Sequence, residues 1–280
     1  MHRSILIPID FSKNSLVAAR YSLGFARHSG FDLHFLHAYL PFKSAFQTRA
    51  DNEDERTEAR DAAEEQMERF KKDLGITQQE NARFELREGH LLKCLEQVIS
   101  KEAVAFIIMG THGETGRRKN ILGSNTYDVA TSLQIPLVIV PEDNAGFKLE
   151  RVVFFTNYCE TDKHTLEAFK DISGAPESSV TLVHIEEGSA KQEQPEVQKL
   201  EEWKERLQQE THYTGLKTEL VPGDETIHII NHILKRLDAD LTLLTLTRKR
   251  NFFDRLFYKS LAKAIVFNPE TPVLLTSESE

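Results

Sequence analysis

Val104-Ala-Phe-Ile-Ile-Met109 runs directly into Gly110-Thr-His-Gly113-Glu-Thr-Gly-Arg-Arg-Lys-Asn-Ile-Leu-Gly123-Ser124-Asn125, and from Asn125 to Leu133 the spacing turns helical. An apolar run that empties into a glycine-rich loop and then a helix is a strand–loop–helix unit. The loop bares backbone N–H groups, and the helix start adds the positive end of its dipole, so together they form an anion site. A side chain at Gly113 or Gly123 would hold phosphate oxygens away from the amides, and Ser124 is a good helix N-cap. The plainer alternative is a turn that merely connects strand to helix.

Working outward, the chain carries this design twice. Ile5-Leu-Ile-Pro-Ile-Asp10 is answered by Val152-Val-Phe-Phe-Thr-Asn157, and Asp32-Leu-His-Phe-Leu-His-Ala38 by Ser179-Val-Thr-Leu-Val-His-Ile185. Ile107-Ile-Met109 pairs with Leu243-Leu-Thr245, and Ile135-Pro-Leu-Val-Ile-Val140 with Thr271-Pro-Val-Leu-Leu-Thr276. Helical periodicity fills the intervals: residues 15–28, ending at Gly30, 54–74 with one narrow apolar stripe, 91–100 and 125–133 in the first half. The second half supplies 161–172, 195–210, 225–237 and about 260–267. Strands apolar on both faces that alternate with helices imply parallel sheets covered on both sides. The expected fold is therefore α/β: two tandem doubly wound, Rossmann-like domains, 1–143 and 149–280, joined near Pro141–Glu150.

The 280 residues suffice for two domains of ordinary size. With 40% hydrophobic and 28% charged residues, no run approaches a membrane span, and Arg3 and Asp10 leave no signal-peptide apolar region. The expectation is a cytoplasmic protein with no membrane partner. Cys94 and Cys159 lie too far apart in sequence for a paired motif, and a net charge of -9 argues against nucleic acid as the main partner. His37 and His184 end matching strands, yet no second ligand lies at metal-site spacing, so polar strand ends explain them better than a metal. Arg117-Arg118-Lys119 reads as a solvated charge run. Phe252-Phe253-Asp-Arg-Leu-Phe257-Tyr258 reads as packing, with a membrane or partner patch as the alternative.

Four motifs in order now bear on family. Ile-Leu-Ile-Pro-Ile-Asp10, Leu36-His-Ala38, Gly110-x2-Gly113-x9-Gly123-Ser124 and Pro136-Leu-Val-Ile-Val140 together resemble the universal stress protein family, throughout the first half and in outline in the second. The resemblance implies an adenine nucleotide α-hydrolase-like fold and, through the glycine signature, ATP binding in the first half. It places Pro8, Ile9 and Asp10 along the nucleoside and the Ala38 backbone on adenine. Gly110 falls at the ribose, and Gly113, Gly123, Ser124 and the Asn125 backbone at the phosphates; His112 reads either as a further phosphate contact or as a plain surface histidine. Magnesium would arrive with the nucleotide. It also implies that the two halves pair through their last strands within one chain, and it leaves a homodimer open.

The second half lacks the cradle. Aligning Pro136 with Pro272 puts Leu246, Lys249 and Lys259 where Gly110, Gly113 and Gly123 stand, leaves Ser260 at Ser124, and replaces Asp10 by Asn157. The expectation is a regulatory stress-response protein that holds ATP in its first half alone. Two alternatives are a slow ATPase or phosphotransferase and a structural interaction module with a vestigial site. The glycine loop carries no Walker lysine, which weighs against efficient catalysis.

Overall fold

The computed structural model describes residues 3–41, 49–76, 81–111, 122–174, 178–186, 194–246, 265 and 269–277. Within them the N-terminal half runs β1 (Ser4–Pro8), α1 (Lys13–Ser29), β2 (Asp32–Tyr39), α2 (Arg49–Leu74), β3 (Ala82–Glu88), α3 (Leu91–Ile99), β4 (Val104–Gly110), α4 (Ser124–Ser132) and β5 (Leu137–Val140). The C-terminal half repeats the order with β6 (Arg151–Phe155), α5 (Asp162–Ser173), β7 (Ser179–Glu186), α6 (Gln194–Thr211), β8 (Leu216–Pro222), α7 (Ile227–Arg236), β9 (Leu241–Leu246) and β10 (Val273–Ser277). The helix expected near 260–267 and the aromatic run 252–258 lie outside the described residues, Ile265 apart.

The strands form one sheet in the order β3-β2-β1-β4-β5-β10-β9-β6-β7-β8. Every described pairing within a half is parallel, and the halves meet where β10 runs antiparallel to β5, with Leu274 opposite Val138. That join through the last strands makes a single sheet of the two halves. The chain leaves β1 toward β2 and β3 on one side, then returns to β4 and β5 on the other. The β1/β4 boundary is thus a topological switch point, where open α/β sheets bind ligands outside the strands' carboxyl ends. β6 and β9 form its twin.

Alternating residues feed two cores that each span both halves. Ile5, Ile7, Phe35, Phe106 and Ile108 face α1 and α2, and on the same side Phe154 and Leu182 meet Leu166 and Phe169 of α5. Leu6, Leu36, Ile107 and Met109 face Leu95 of α3 and Val129 of α4, while Val153 and Leu244 meet Ile230 and Ile233 of α7. The result is three layers, α/β/α, with the sheet dry on both faces.

β3 and β8 are strands that the apolar-run reading above passes over. Both lie at the outer edges of the sheet. Charged residues such as Arg83, Glu85 and Lys217 interrupt them, as edge strands require to avoid pairing with other chains.

The connection between the halves is packed down. Phe147 packs edge-on against Tyr21 and tilted against Phe25 of α1, at ring-centroid distances of 5.3 and 5.1 Å. Gly24 makes this possible, since a Cβ there would collide with the Phe147 side chain.

Candidate functional site

The first strand ends in Pro8 and Ile9, both buried, followed by the half-buried Asp10. The Asp10 carboxylate turns back on the chain and accepts from the Ser12 amide at 3.1 Å and the Ser12 hydroxyl at 2.6 Å. Ser12 is the N-cap of α1 and accepts in turn from the Ser15 amide at 3.1 Å. A carboxylate beside the first turn of a helix is favoured by the helix dipole. The turn needs Phe11 at a φ of 64°, a strained value for a residue with a Cβ.

What holds that turn is a histidine from the neighbouring strand. His37 of β2 donates from Nδ1 to the carbonyl of Ile9 at 2.8 Å, and its ring lies against the Phe11 ring at 4.2 Å. Burial holds its pKa below the ordinary imidazole value, although the Ile9 carbonyl and the Asp10 charge pull the other way. Ala38 follows His37, half-buried, at the carboxyl end of the same strand.

On the other side of β1, the end of β4 is tied to α1 and α4. The Asn14 side chain, in the first turn of α1, donates to Thr111 Oγ1 at 3.0 Å. Thr126 Oγ1 donates to the Gly110 carbonyl at 3.0 Å, and the Gly123 amide donates to the Thr111 carbonyl at 2.8 Å. Helix α4 then begins at Ser124 behind Gly123, with no side-chain hydrogen bond at its N-cap and no acidic residue in its first turn. Ser124 and Asn125 are exposed. Among the described residues no side chain caps this helix start, and a helix start beside a switch point is chemically suited to an anion.

The structure therefore gathers Pro8, Ile9, Asp10, Ala38, Gly110, Gly123, Ser124 and Asn125 along the carboxyl ends of β2, β1 and β4. His112 and Gly113 lie outside the described residues. Gly110 also has a role within the chain, because a Cβ there would come within 3.0 Å of the Asn14 side chain and carbonyl. Sequence reasoning passed over Asn14 and Thr111, and gave His37 no part beyond closing its strand. The repeat of histidine at His184 was the available signal for the last.

The twin site is built differently. His184 donates from Nδ1 to the Thr156 carbonyl at 2.8 Å and packs on Tyr158, whose φ of 57° matches that of Phe11. Beyond this clasp the chemistry departs. Thr156 donates to Asp162 Oδ2 at 2.5 Å and Thr245 to Oδ1 at 2.8 Å, while Thr165 bonds Thr245 at 2.7 Å and Thr276 at 2.5 Å. Burial raises the pKa of Asp162, against the hydroxyls of Thr156 and Thr245, which favour its charged form. Asn157 donates to Glu225 at 3.1 Å, closing across the end of the sheet.

This network corrects one alignment. The Ile107 amide donates to the Pro136 carbonyl and the Thr242 amide to the Pro272 carbonyl, while Gly110 pairs with Val140 and Thr245 with Thr276. Thr245, not Leu246, stands at the Gly110 position. Leu246 points into the opposite core, with Ile230 and Ile233. Lys249, Lys259 and Ser260 lie outside the described residues.

Among the described residues, one group has metal-ligating spacing: His34, Glu85 and Glu102, with ligand atoms within 4.8 Å of one another. It sits toward the amino ends of the strands, away from the switch point. Arg83 occupies it, donating to His34 at 2.8 Å and to Glu102 at 2.7 Å, so the acids already have a cation.

The profile of the universal stress protein family matches residues 1–141, half of the chain. The chain belongs to the universal stress protein family. Among solved structures, this family member is similar to a universal stress protein from Archaeoglobus fulgidus at 17% identity and a TM-score of 0.70, covering 99% of this chain and 98% of that one. It is also similar to a functionally unknown protein from Pseudomonas aeruginosa PAO1 at 17% identity and a TM-score of 0.56, covering 99% and 92%. At these identities the likeness speaks to the fold, and it extends over both halves. No curated protein matches the chain. Among the described residues, no helix is long and apolar enough to cross a membrane.

Proposed function

We propose that this member of the universal stress protein family is a stress-response regulator that binds ATP at the carboxyl ends of β1, β2 and β4, one nucleotide per chain. The observation that carries the reading is the contrast between twin switch points. In the first half, the strand end beside the start of α4 is a glycine. In the second, that position is Thr245, whose hydroxyl donates to the buried Asp162 carboxyl, so a side chain stands where the first half has bare backbone.

Each residue has a role on this reading. Pro8, Ile9 and the Ala38 backbone form the nucleoside wall, and Asp10 stands at its mouth, fixed by Ser12. Gly123, Ser124 and Asn125 present backbone and hydroxyl donors to the phosphates, and His112 and Gly113 belong to the segment that leads to them. Magnesium would neutralise phosphate charge and would take most of its ligands from phosphate and water. Regulation then works by occupancy, since a ligand that binds the folded state alone stabilises it by mass action.

The test is whether adenine nucleotide travels with the protein. Protein purified without added nucleotide, then acid-extracted and analysed by mass spectrometry, is expected to release adenine nucleotide at up to one equivalent. The Gly123→Val variant is expected to release none. Two equivalents from the wild type would assign a working site to each half and overturn the asymmetry.

A further inference from the structure

Two of the hydrogen bonds at the end of β4 form a chain of dependence through Thr111. Asn14 holds the Thr111 side chain at 3.0 Å, and the Thr111 carbonyl holds the Gly123 amide at 2.8 Å, directly before α4. Asn14 itself belongs to the turn that begins at Asp10, because Ser12 both receives the N-terminal amide of α1 and donates to the Asp10 carboxylate. One side chain therefore links the two banks of the β1/β4 switch point. It is 5% exposed, so water competes little for its bonds. Gly110 makes room for it, since a Cβ there would approach three Asn14 atoms at 3.0 Å. The twin half keeps neither partner of this pair: Thr245 stands at the Gly110 position and bonds Asp162.

We propose that Asn14 is a positioning residue for nucleotide binding, setting through Thr111 where helix α4 begins relative to Asp10. This rests on the nucleotide reading above and assigns Gly110 a second duty, to admit Asn14 under the strand end. A displaced helix start would aim its amides away from the phosphates without touching the nucleoside wall.

The experiment uses the full chain with two readouts: the ATP dissociation constant by calorimetry, and the exchange rate of the Gly123 amide without nucleotide. Asn14→Leu keeps the volume and removes the donor, Thr111→Val keeps the shape and removes the acceptor, and Thr111→Ser keeps the hydroxyl. The first two are expected to weaken ATP about tenfold and speed Gly123 exchange by a similar factor, as the loss of about one net hydrogen bond implies. Thr111→Ser is expected to stay near wild type in both, and the Asn14→Leu/Thr111→Val double variant to be no worse than either alone. If Asn14→Leu fails to fold, Thr111→Val and Thr111→Ser carry the same comparison. Unchanged affinity and unchanged exchange in Thr111→Val would overturn the role of Asn14 alone. A wild type that binds no ATP while Gly123 exchange responds as expected would overturn the nucleotide reading, and with it any role of Asn14 in binding.

Discussion

The Nδ1 of His37 donates to the carbonyl of Ile9 at 2.8 Å, and 147 residues of intervening design later His184 does the same to Thr156 at the same distance and the same separation of 28 residues. The two halves have diverged in their charges, glycines and acids, yet each keeps this clasp on a strained aromatic residue. It belongs to the scaffold, and in the first half it also sets the path of Asp10.

Removing the clasp should loosen the turn before any strand is disturbed. His37→Phe fills the ring's volume and leaves the Ile9 carbonyl without that partner, at a cost of about 1–3 kcal/mol. The expected outcome is a lower urea midpoint together with weaker ATP binding. Unchanged affinity alongside a lowered midpoint would confine the clasp to stability.

Protonation should act on the same contact. Burial depresses the pKa of His37 in the folded state, so folding favours its neutral form. Its contribution to stability is complete above the ordinary imidazole value and is lost as pH falls from there through the folded value. Thermal unfolding between pH 7.5 and about 5 should show a decline that His37→Phe reduces. His34, also depressed by burial, adds to the same slope.

Asp162 should respond with the opposite sign. Its folded pKa is raised by burial, so the folded state binds the proton more tightly than the unfolded chain. Stability is then greatest below the ordinary carboxylate value and falls as pH rises through the folded value. Asp162→Asn, which keeps an oxygen acceptor and carries no charge, should raise the urea midpoint at pH 7 relative to wild type and flatten this slope. A lower midpoint at pH 7 would show that the hydroxyl bonds to the charged form outweigh its burial.

Gly24→Ala sets two effects against each other. Helix propensity favours alanine by about 1 kcal/mol in a helix interior. The new Cβ would collide with Phe147 where the connection between the halves packs on α1, and overpacking costs about 1–3 kcal/mol. The clash should win, giving a lower melting temperature and faster proteolysis within residues 141–150. A higher melting temperature would mean that the connection moves aside freely.

The fold was legible where strands are buried on both faces. Ile5–Ile7 and Val152–Phe154 read as strands because nothing polar interrupts them, and their repetition exposed the two halves. β3 and β8 were not legible by that rule, because an edge strand is half-solvated and its apolar residues only alternate, as in Ala82, Phe84 and Leu86. The glycine loop pointed to the carboxyl end of β4, where Gly110, Gly123 and Ser124 stand beside the end of β1. Its tie to Asn14 was hidden, since a hydrogen bond across 97 residues has no local pattern. The second half shows the same limit. Thr156, Asp162, Thr165, Thr245 and Thr276 are unremarkable one by one, and only the sheet register brings them together.

The central claim is one ATP site per chain, in the first half. Calorimetric titration of ATP into nucleotide-free wild type, Gly123→Val and Thr245→Gly measures it directly. The account predicts a stoichiometry of one per chain, a micromolar affinity of about -8 kcal/mol in the wild type, loss of binding in Gly123→Val, and no second site in Thr245→Gly, where Asp162 remains. A stoichiometry of two in the wild type, or binding that survives Gly123→Val, would contradict it.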